Sequence, residues 1–149
     1  MKHIVESFNI DHTKVTAPFI RRADEIMSPK GDIVTKLDVR FTQPNKEFMD
    51  MAAMHTLEHL LATFLREGKY QIIDFSPMGC QTGFYLTMFG RTDLMEFKVF
   101  FENCLKKVLA YDGDVIGAKE KECGNYKNHS LVSAKNFARK FLDGKATII

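Results

Sequence analysis

The chain has 149 residues, 45% of them hydrophobic, which is typical of one globular domain over residues 1–149. Its 21 basic and 19 acidic residues are scattered along the sequence, so there is no basic arm or stripe and no nucleic-acid partner is expected. No apolar run reaches the length of a membrane span and the first residues do not resemble a signal peptide, which favours a cytoplasmic protein with no membrane partner.

Three strands are predicted in the first third of the chain. Residues 4–10 and 18–27 have weak strand patterns, whereas residues 33–41 have a clear one because apolar and polar side chains alternate there. This alternation is typical of an antiparallel sheet that carries helices on one face only.

A helix is predicted between Asn45, which follows Pro44 and is the expected N-cap, and Gly68, which is the expected end. Glu47 would place a negative charge in its first turn, where the helix dipole favours one. Apolar residues recur at helical spacing and predict a buried stripe. The members of this stripe are Met49, Ala52, Ala53, Leu57, Leu60, Leu61, Phe64 and Leu65.

The other face of this helix carries the most informative motif, His55-Thr-Leu-Glu58-His59. Residues three and four apart on a helix are neighbours, so both imidazoles can bind one divalent metal while Glu58 lies beside it for proton transfer. H-x-x-E-H is a known metalloenzyme signature. The alternative is a pair of histidines that are hydrogen-bonded at a packing interface.

The face that carries the motif also carries Phe48, Met51 and Ala62, whereas a solvated helix face is usually rich in Lys and Glu. We therefore expect another part of the chain, or a second subunit, to cover it.

The second half of the chain predicts one more strand, over residues 84–89, and two more helices. The first helix extends from residue 94 to about 111, and the second is Leu131–Asp143, which ends at Gly144. Because strands and helices are mixed without regular β-α alternation, the predicted fold class is α+β.

The three cysteines lie in different contexts, and without an export signal all are expected to be reduced thiols. Cys104 belongs to the apolar stripe of its helix and is expected in the core. Cys123 lies in a polar stretch, where it either completes a His2Cys metal site with an open fourth position or is an exposed loop thiol. Cys80 lies in a glycine-flanked turn, where it is either a simple turn residue or a nucleophile or base activated by a cation such as Arg40.

Several motifs, in order and correctly spaced, together resemble the S-ribosylhomocysteine lyase (LuxS) family over nearly the whole chain. One departure is Gln81, at a position where members often carry arginine. The matching segments are residues 6–8, 11–15, 29–32, 38–41, 43–46, 55–62, 74–80, 82–85, 122–126 and 129–131.

The resemblance implies an α+β fold with an antiparallel sheet and helices on one face, assembled as a homodimer with sites at the subunit interface. It also implies one divalent metal per subunit, held by His55, His59 and Cys123. The metal expected from the family is Fe²⁺, with zinc or cobalt able to occupy the site, although the ligand types alone would favour zinc.

The resemblance further implies a carbon–sulfur lyase that converts S-ribosyl-L-homocysteine to L-homocysteine and 4,5-dihydroxy-2,3-pentanedione, the autoinducer-2 precursor. This reaction belongs to methionine and homocysteine metabolism and to quorum sensing. Cys80 and Glu58 match the residues that transfer protons. The residues that match substrate-binding positions are Ser7, His12, Arg40 and Asp74.

Two other functions remain open from the residues themselves. A metallopeptidase of the H-x-x-E-H type would use Glu58 to activate water and a downstream glutamate, Glu120 or Glu122, as its third ligand. The chain is short for such an enzyme, and hydrolysis would give Cys80 no role. A non-enzymatic metal-binding dimer is the other possibility.

Overall fold

The computed structural model describes all 149 residues and contains a five-stranded sheet in the order β3-β4-β2-β1-β5. Strands β1 to β4 pair antiparallel, as predicted, whereas the short edge strand β5 pairs parallel to β1 and makes the sheet mixed. The strands are β1 (Phe19–Met27), β2 (Ile33–Arg40), β3 (Ile72–Pro77), β4 (Gly83–Phe89) and β5 (Thr147–Ile148).

Three helices pack on one face of this sheet, which confirms the predicted α+β class. They are α1 (Met51–Leu65), α2 (Leu94–Ala110) and α3 (Leu131–Asp143). One continuous core of 24 buried residues lies between the two layers, as expected of a single domain. None of the three helices combines the length and the apolar character that crossing a membrane requires.

The core follows the predicted alternation of β2, and β4, which was also predicted as a strand, pairs with it. Leu37 is paired with Leu86 and Val39 with Phe84, and all four side chains are fully buried under the helices. Cys104 is also buried in this core, as predicted, and burial raises the pKa of its thiol to about 11.

The predicted start of α1 was wrong. Asn45 adopts a left-handed conformation, with φ of 61°, which interrupts a helix, and the N-cap is Asp50, whose carboxylate accepts a hydrogen bond from the Ala53 amide at 2.8 Å. The amide of Met49 donates instead to the Gln81 carbonyl at 2.8 Å. This hydrogen bond therefore attaches the segment before α1 to the turn that carries Cys80.

One strand prediction was wrong, and one strand was missed. Residues 4–10 contain a short 3-10 helix, Glu6–Phe8, in a segment held by hydrogen bonds between the Asn9 side chain and the His3 backbone. Strand β3 was missed because a bulge between Ile72 and Asp74 disturbs its alternation and because it contains residues that strands disfavour.

The face of the sheet away from the helices carries buried charges. Arg40 and Asp38 of β2 are 2% and 0% exposed, and Asp38 forms ion pairs with both Arg40 and Arg21 of β1. Arg21 also pairs with Glu6, so the 3-10 helix is joined to this face by an ion pair. This face forms one wall of the cavities described below.

Candidate metal centre and thiol-lined cavity

Helix α1 and the long connection between α2 and α3 bring together one cluster of possible metal ligands. It contains His55, His59, Cys123 and His129, whose ligand atoms all lie within 4.8 Å of one another. The Sγ atom of Cys123 is 3.3 Å from the Nε2 atom of His55. The structure thus brings the two histidines of the motif and the loop thiol together, as the sequence predicts.

Both motif histidines are oriented by backbone carbonyls. The Nδ1 atom of His55 is 2.9 Å from the Asn128 carbonyl oxygen, and the Nδ1 atom of His59 is 2.8 Å from the Ile116 carbonyl oxygen. A carbonyl only accepts, so each Nδ1 carries a proton, and Nε2 is the nitrogen of each ring that is left to bind a metal. Metal-ligating histidines are held in this way, and the two imidazoles and the thiol therefore fit a divalent metal.

Gly117 permits the contact between the loop and His59. Its φ of +72° lies in the left-handed region that favours glycine, and a Cβ there would lie 3.1 Å from the Nδ1 atom of His59. Cys123 is fixed in the same loop, since its amide donates to the Lys119 carbonyl at 2.9 Å. This loop therefore covers the part of α1 that carries His55 and His59, where a covering segment or subunit was predicted.

His129 is a member of the cluster that the sequence reasoning missed as a site residue. The hydroxyl of Thr56 donates to the Ala52 carbonyl at 2.8 Å, so it accepts from the Nδ1 atom of His129 at 3.2 Å. The Nε2 atom of His129 is then an unprotonated, buried nitrogen without a partner. Burial, with the nearby His55 and His59, lowers the pKa of His129 to about 4, which keeps this ring neutral.

His129 differs from the other three residues of the cluster in the orientation of its ring. Its ring stacks on His55, with centroids 3.9 Å apart and an angle of 24° between the planes. Two nearly parallel, stacked rings cannot both direct an in-plane lone pair at one ion. His129 therefore packs against the His55 ring and supports its orientation rather than adding a fourth ligand.

Cys80 lies away from this cluster, at two adjoining cavities of about 300 and 350 Å³. His12 and Arg40 line both cavities with Cys80, and Ser7 lines the second. Three of the four predicted substrate-binding residues thus lie beside the predicted thiol.

The turn that carries Cys80 depends on close backbone packing. A Cβ at Gly83 would lie 2.4 Å from the Val39 carbonyl oxygen, so only glycine allows β4 to approach β2 here. Gln81 adopts a φ of 62°, and its side-chain amide donates to the Met49 carbonyl at 3.3 Å. The departure at position 81 therefore lies in a residue that joins the turn to the start of α1.

Two predicted site residues are not brought to these cavities. Glu58 lies on α1 beside both motif histidines, half-buried, and its side chain makes no hydrogen bond or ion pair. Asp74 lies on β3, exposed to solvent, and accepts a hydrogen bond from the Ser76 hydroxyl. The metal cluster, likewise, lines neither cavity.

The structure thus combines an α+β domain, a cluster of two imidazoles and a thiol, and a separate cavity with a second thiol, a combination that fits a metalloenzyme acting on a small molecule. The family model for S-ribosylhomocysteinase (LuxS) matches residues 5–149, and the chain belongs to this family.

Relatives in several bacteria are similar over most of their length. The chain is 52% identical over 139 residues to the S-ribosylhomocysteine lyase of Clostridium perfringens strain SM101, covering 93% of this chain and 91% of the relative. It is 53% identical, with the same coverage, to the enzyme of that name from Clostridioides difficile strain 630. The identity to the Helicobacter pylori strain J99 enzyme is 48% over 146 residues, or 98% of this chain and 95% of the relative. These matches confirm the resemblance predicted from the motifs.

Proposed function

We propose that this protein is a metal-dependent lyase that cleaves S-ribosyl-L-homocysteine into L-homocysteine and 4,5-dihydroxy-2,3-pentanedione. One observation carries the proposal: in a chain of this family, His55, His59 and Cys123 meet with both imidazoles already oriented by carbonyls. The pentanedione is the precursor of autoinducer-2, which would connect homocysteine metabolism with quorum sensing.

His55, His59 and Cys123 hold one divalent metal per subunit in this proposal. The metal is Fe²⁺, which zinc or cobalt can replace, and when bound it supplies Lewis acidity at the sugar oxygens. The metallopeptidase alternative is not favoured, because Glu120 and Glu122 are exposed and stand outside the cluster. A cytoplasmic location suits this assignment, since a reducing compartment keeps Cys80 and Cys123 as thiols.

The substrate requires two proton carriers. Its sulfur is bonded to ribose carbon 5, so the carbonyl must move from carbon 1 to carbon 3 before the hydrogen on carbon 4 becomes acidic. Each move removes a proton from one carbon and returns one to its neighbour, and loss of the carbon 4 proton then expels the thiol. Glu58 and Cys80 perform these transfers. In support, the Glu58 carboxylate is unpaired and Cys80 is an exposed thiol at a cavity.

Ser7, His12 and Arg40 bind the sugar in this proposal, and their shared cavities with Cys80 support the assignment. Asp74 binds the amino-acid end of homocysteine. For Asp74 the support is the family resemblance alone, since its carboxylate is exposed on β3.

The active protein is a homodimer in which each site combines the metal cluster of one chain with the Cys80 cavity of the other. Within one chain the cluster and the cavities are separate. Phe48, which precedes α1, and Met51, its first residue, are 56% and 48% exposed, and Phe48 also lines the Cys80 cavity. A second copy would cover these apolar side chains and bring the two halves together.

Mixed dimers test this arrangement. A Cys80→Ala chain and a Cys123→Ala chain, carrying different affinity tags, are co-expressed and purified through both tags. One of the two sites in such a dimer then has every residue intact, so we expect about half of the wild-type activity, whereas each parental homodimer is inactive. An inactive mixed dimer that contains both chains, or a fully active wild-type monomer in sedimentation, would contradict the shared site.

The activity itself is tested with the protein loaded with Fe²⁺ in the absence of oxygen. Addition of S-ribosylhomocysteine should release a free thiol that a chromogenic thiol reagent detects, and a chelator should prevent this release. The same preparation should not cleave a peptide mixture. Peptide cleavage without thiol release would favour the peptidase, and neither activity would favour a metal-binding protein.

A further inference from the structure

The hydroxyl group of Thr82 lies between the Arg40 guanidinium and the Cys80 thiol. The Thr82 Oγ1 atom is 3.0 Å from the Nη1 atom of Arg40 and 3.1 Å from the Sγ atom of Cys80. Thr82 is 2% exposed, so its hydroxyl is shielded from bulk water. The Arg40 cation that could activate Cys80 therefore contacts it through a hydroxyl.

The directions of these hydrogen bonds follow from the donors. A guanidinium only donates, so Thr82 accepts from Arg40. The hydroxyl hydrogen of Thr82 is then free for a second partner, and Cys80 Sγ is the other atom in contact with Oγ1. A thiolate can only accept such a hydrogen bond, and a charged acceptor makes the bond stronger.

The carboxylate of Asp38 fixes the orientation of the Arg40 guanidinium. Its Nε and Nη2 atoms donate to the two carboxylate oxygens of Asp38 at 3.1 and 2.7 Å, which leaves Nη1 directed at Thr82. Asp38 also accepts from Arg21, whose other partner is Glu6. Burial alone would lower the pKa of Arg21, but Glu6 and Asp38 outweigh it and raise that pKa, so the Arg21 guanidinium stays charged.

We propose that Thr82 is a positioning residue that donates its hydroxyl hydrogen to the Cys80 thiolate and transmits the positive charge of Arg40 to the sulfur. This inference rests on the proposed function, in which Cys80 carries protons. The titratable groups that share the cavities with Cys80 are Arg40, His12 and Tyr85, and a substitution at Thr82 leaves all three in place.

The test measures the rate at which iodoacetamide alkylates Cys80 as a function of pH, with the modified peptide quantified by mass spectrometry. Thr82→Val replaces the hydroxyl by a methyl group of similar shape. In this variant the inflection in the plot of alkylation rate against pH should move upward by about one pH unit. At a pH below the inflection, alkylation of Cys80 should then be about tenfold slower than in the wild type. Thr82→Ser keeps a hydroxyl and should restore the wild-type profile. Metal content should be the same in all three proteins.

Thr87→Val is the matched control, because Thr87 lies on β4, the strand that begins directly after Thr82, and its side chain makes no hydrogen bond. This variant should keep the wild-type profile. If Thr82→Val does not fold, Thr82→Ala provides the same readout without a branched side chain. A Thr82→Val or Thr82→Ala profile that superimposes on the wild type would overturn the inference. If the Thr82→Val profile is shifted but the wild-type protein releases no thiol from S-ribosylhomocysteine, the proposed function is rejected and the role of Thr82 remains intact.

Discussion

Alanine in place of His55, His59 or Cys123 should remove the bound metal and reduce thiol release from S-ribosylhomocysteine to background. Each substitution deletes one of three donors, and the ligand atoms that remain are too few to hold the ion. Loop carbonyls pre-orient the two imidazoles, so the loss of either ring removes a donor that the fold already holds in place. Metal content per chain by elemental analysis, together with the thiol assay, measures both effects.

Cys104→Ala is the control for the loss of a thiol. Cys104 is 2% exposed in the core and takes no part in the cluster, so this variant should keep full metal content and activity with a destabilisation of about 1 kcal/mol. Glu122→Gln should also keep the metal, whereas a peptidase with Glu122 as third ligand would lose it. Full metal content in the Cys123→Ala protein would contradict the ligand assignment.

Cys80→Ala and Glu58→Gln should keep the metal and the fold but lose turnover. Each removes a proton carrier without removing a donor of the cluster, and general acid–base groups typically contribute about 10²–10⁴-fold to rate. Circular dichroism, metal content and steady-state rates on S-ribosylhomocysteine separate these effects. A variant whose rate stays within about a factor of two of wild type, far less than such a group contributes, would remove that residue from the mechanism.

The helices differ in how well local sequence predicts them. Helix α3 has its predicted bounds and α2 ends one residue before the predicted end, because a polar N-cap and a continuous apolar stripe define each. The start of α1 depends on the left-handed Asn45 and on a hydrogen bond from Met49 to Gln81, which is 32 residues away in sequence. No local pattern encodes a contact of that kind.

The site shows the same division between local and distant contacts. His55 and His59 could be predicted because their spacing places them on one helix face. His129 became part of the cluster through a hydrogen bond to Thr56, 73 residues away, and the available signal was a histidine six residues after Cys123. The bridge from Arg40 to Cys80 through Thr82 also joins strand β2 to a turn 42 residues later in the sequence, so predicting it required the fold.

The proposed reaction breaks the bond between ribose carbon 5 and sulfur by elimination. To test this, the Fe²⁺-loaded protein is incubated with S-ribosylhomocysteine without oxygen and both products are quantified, homocysteine by its thiol and the pentanedione as the quinoxaline formed with an aromatic diamine. Elimination should give equal amounts of the two products, and both should be lost in the Cys80→Ala protein. Homocysteine accompanied by free ribose would indicate hydrolysis, and that result, or the absence of both products, would rule out the proposed elimination.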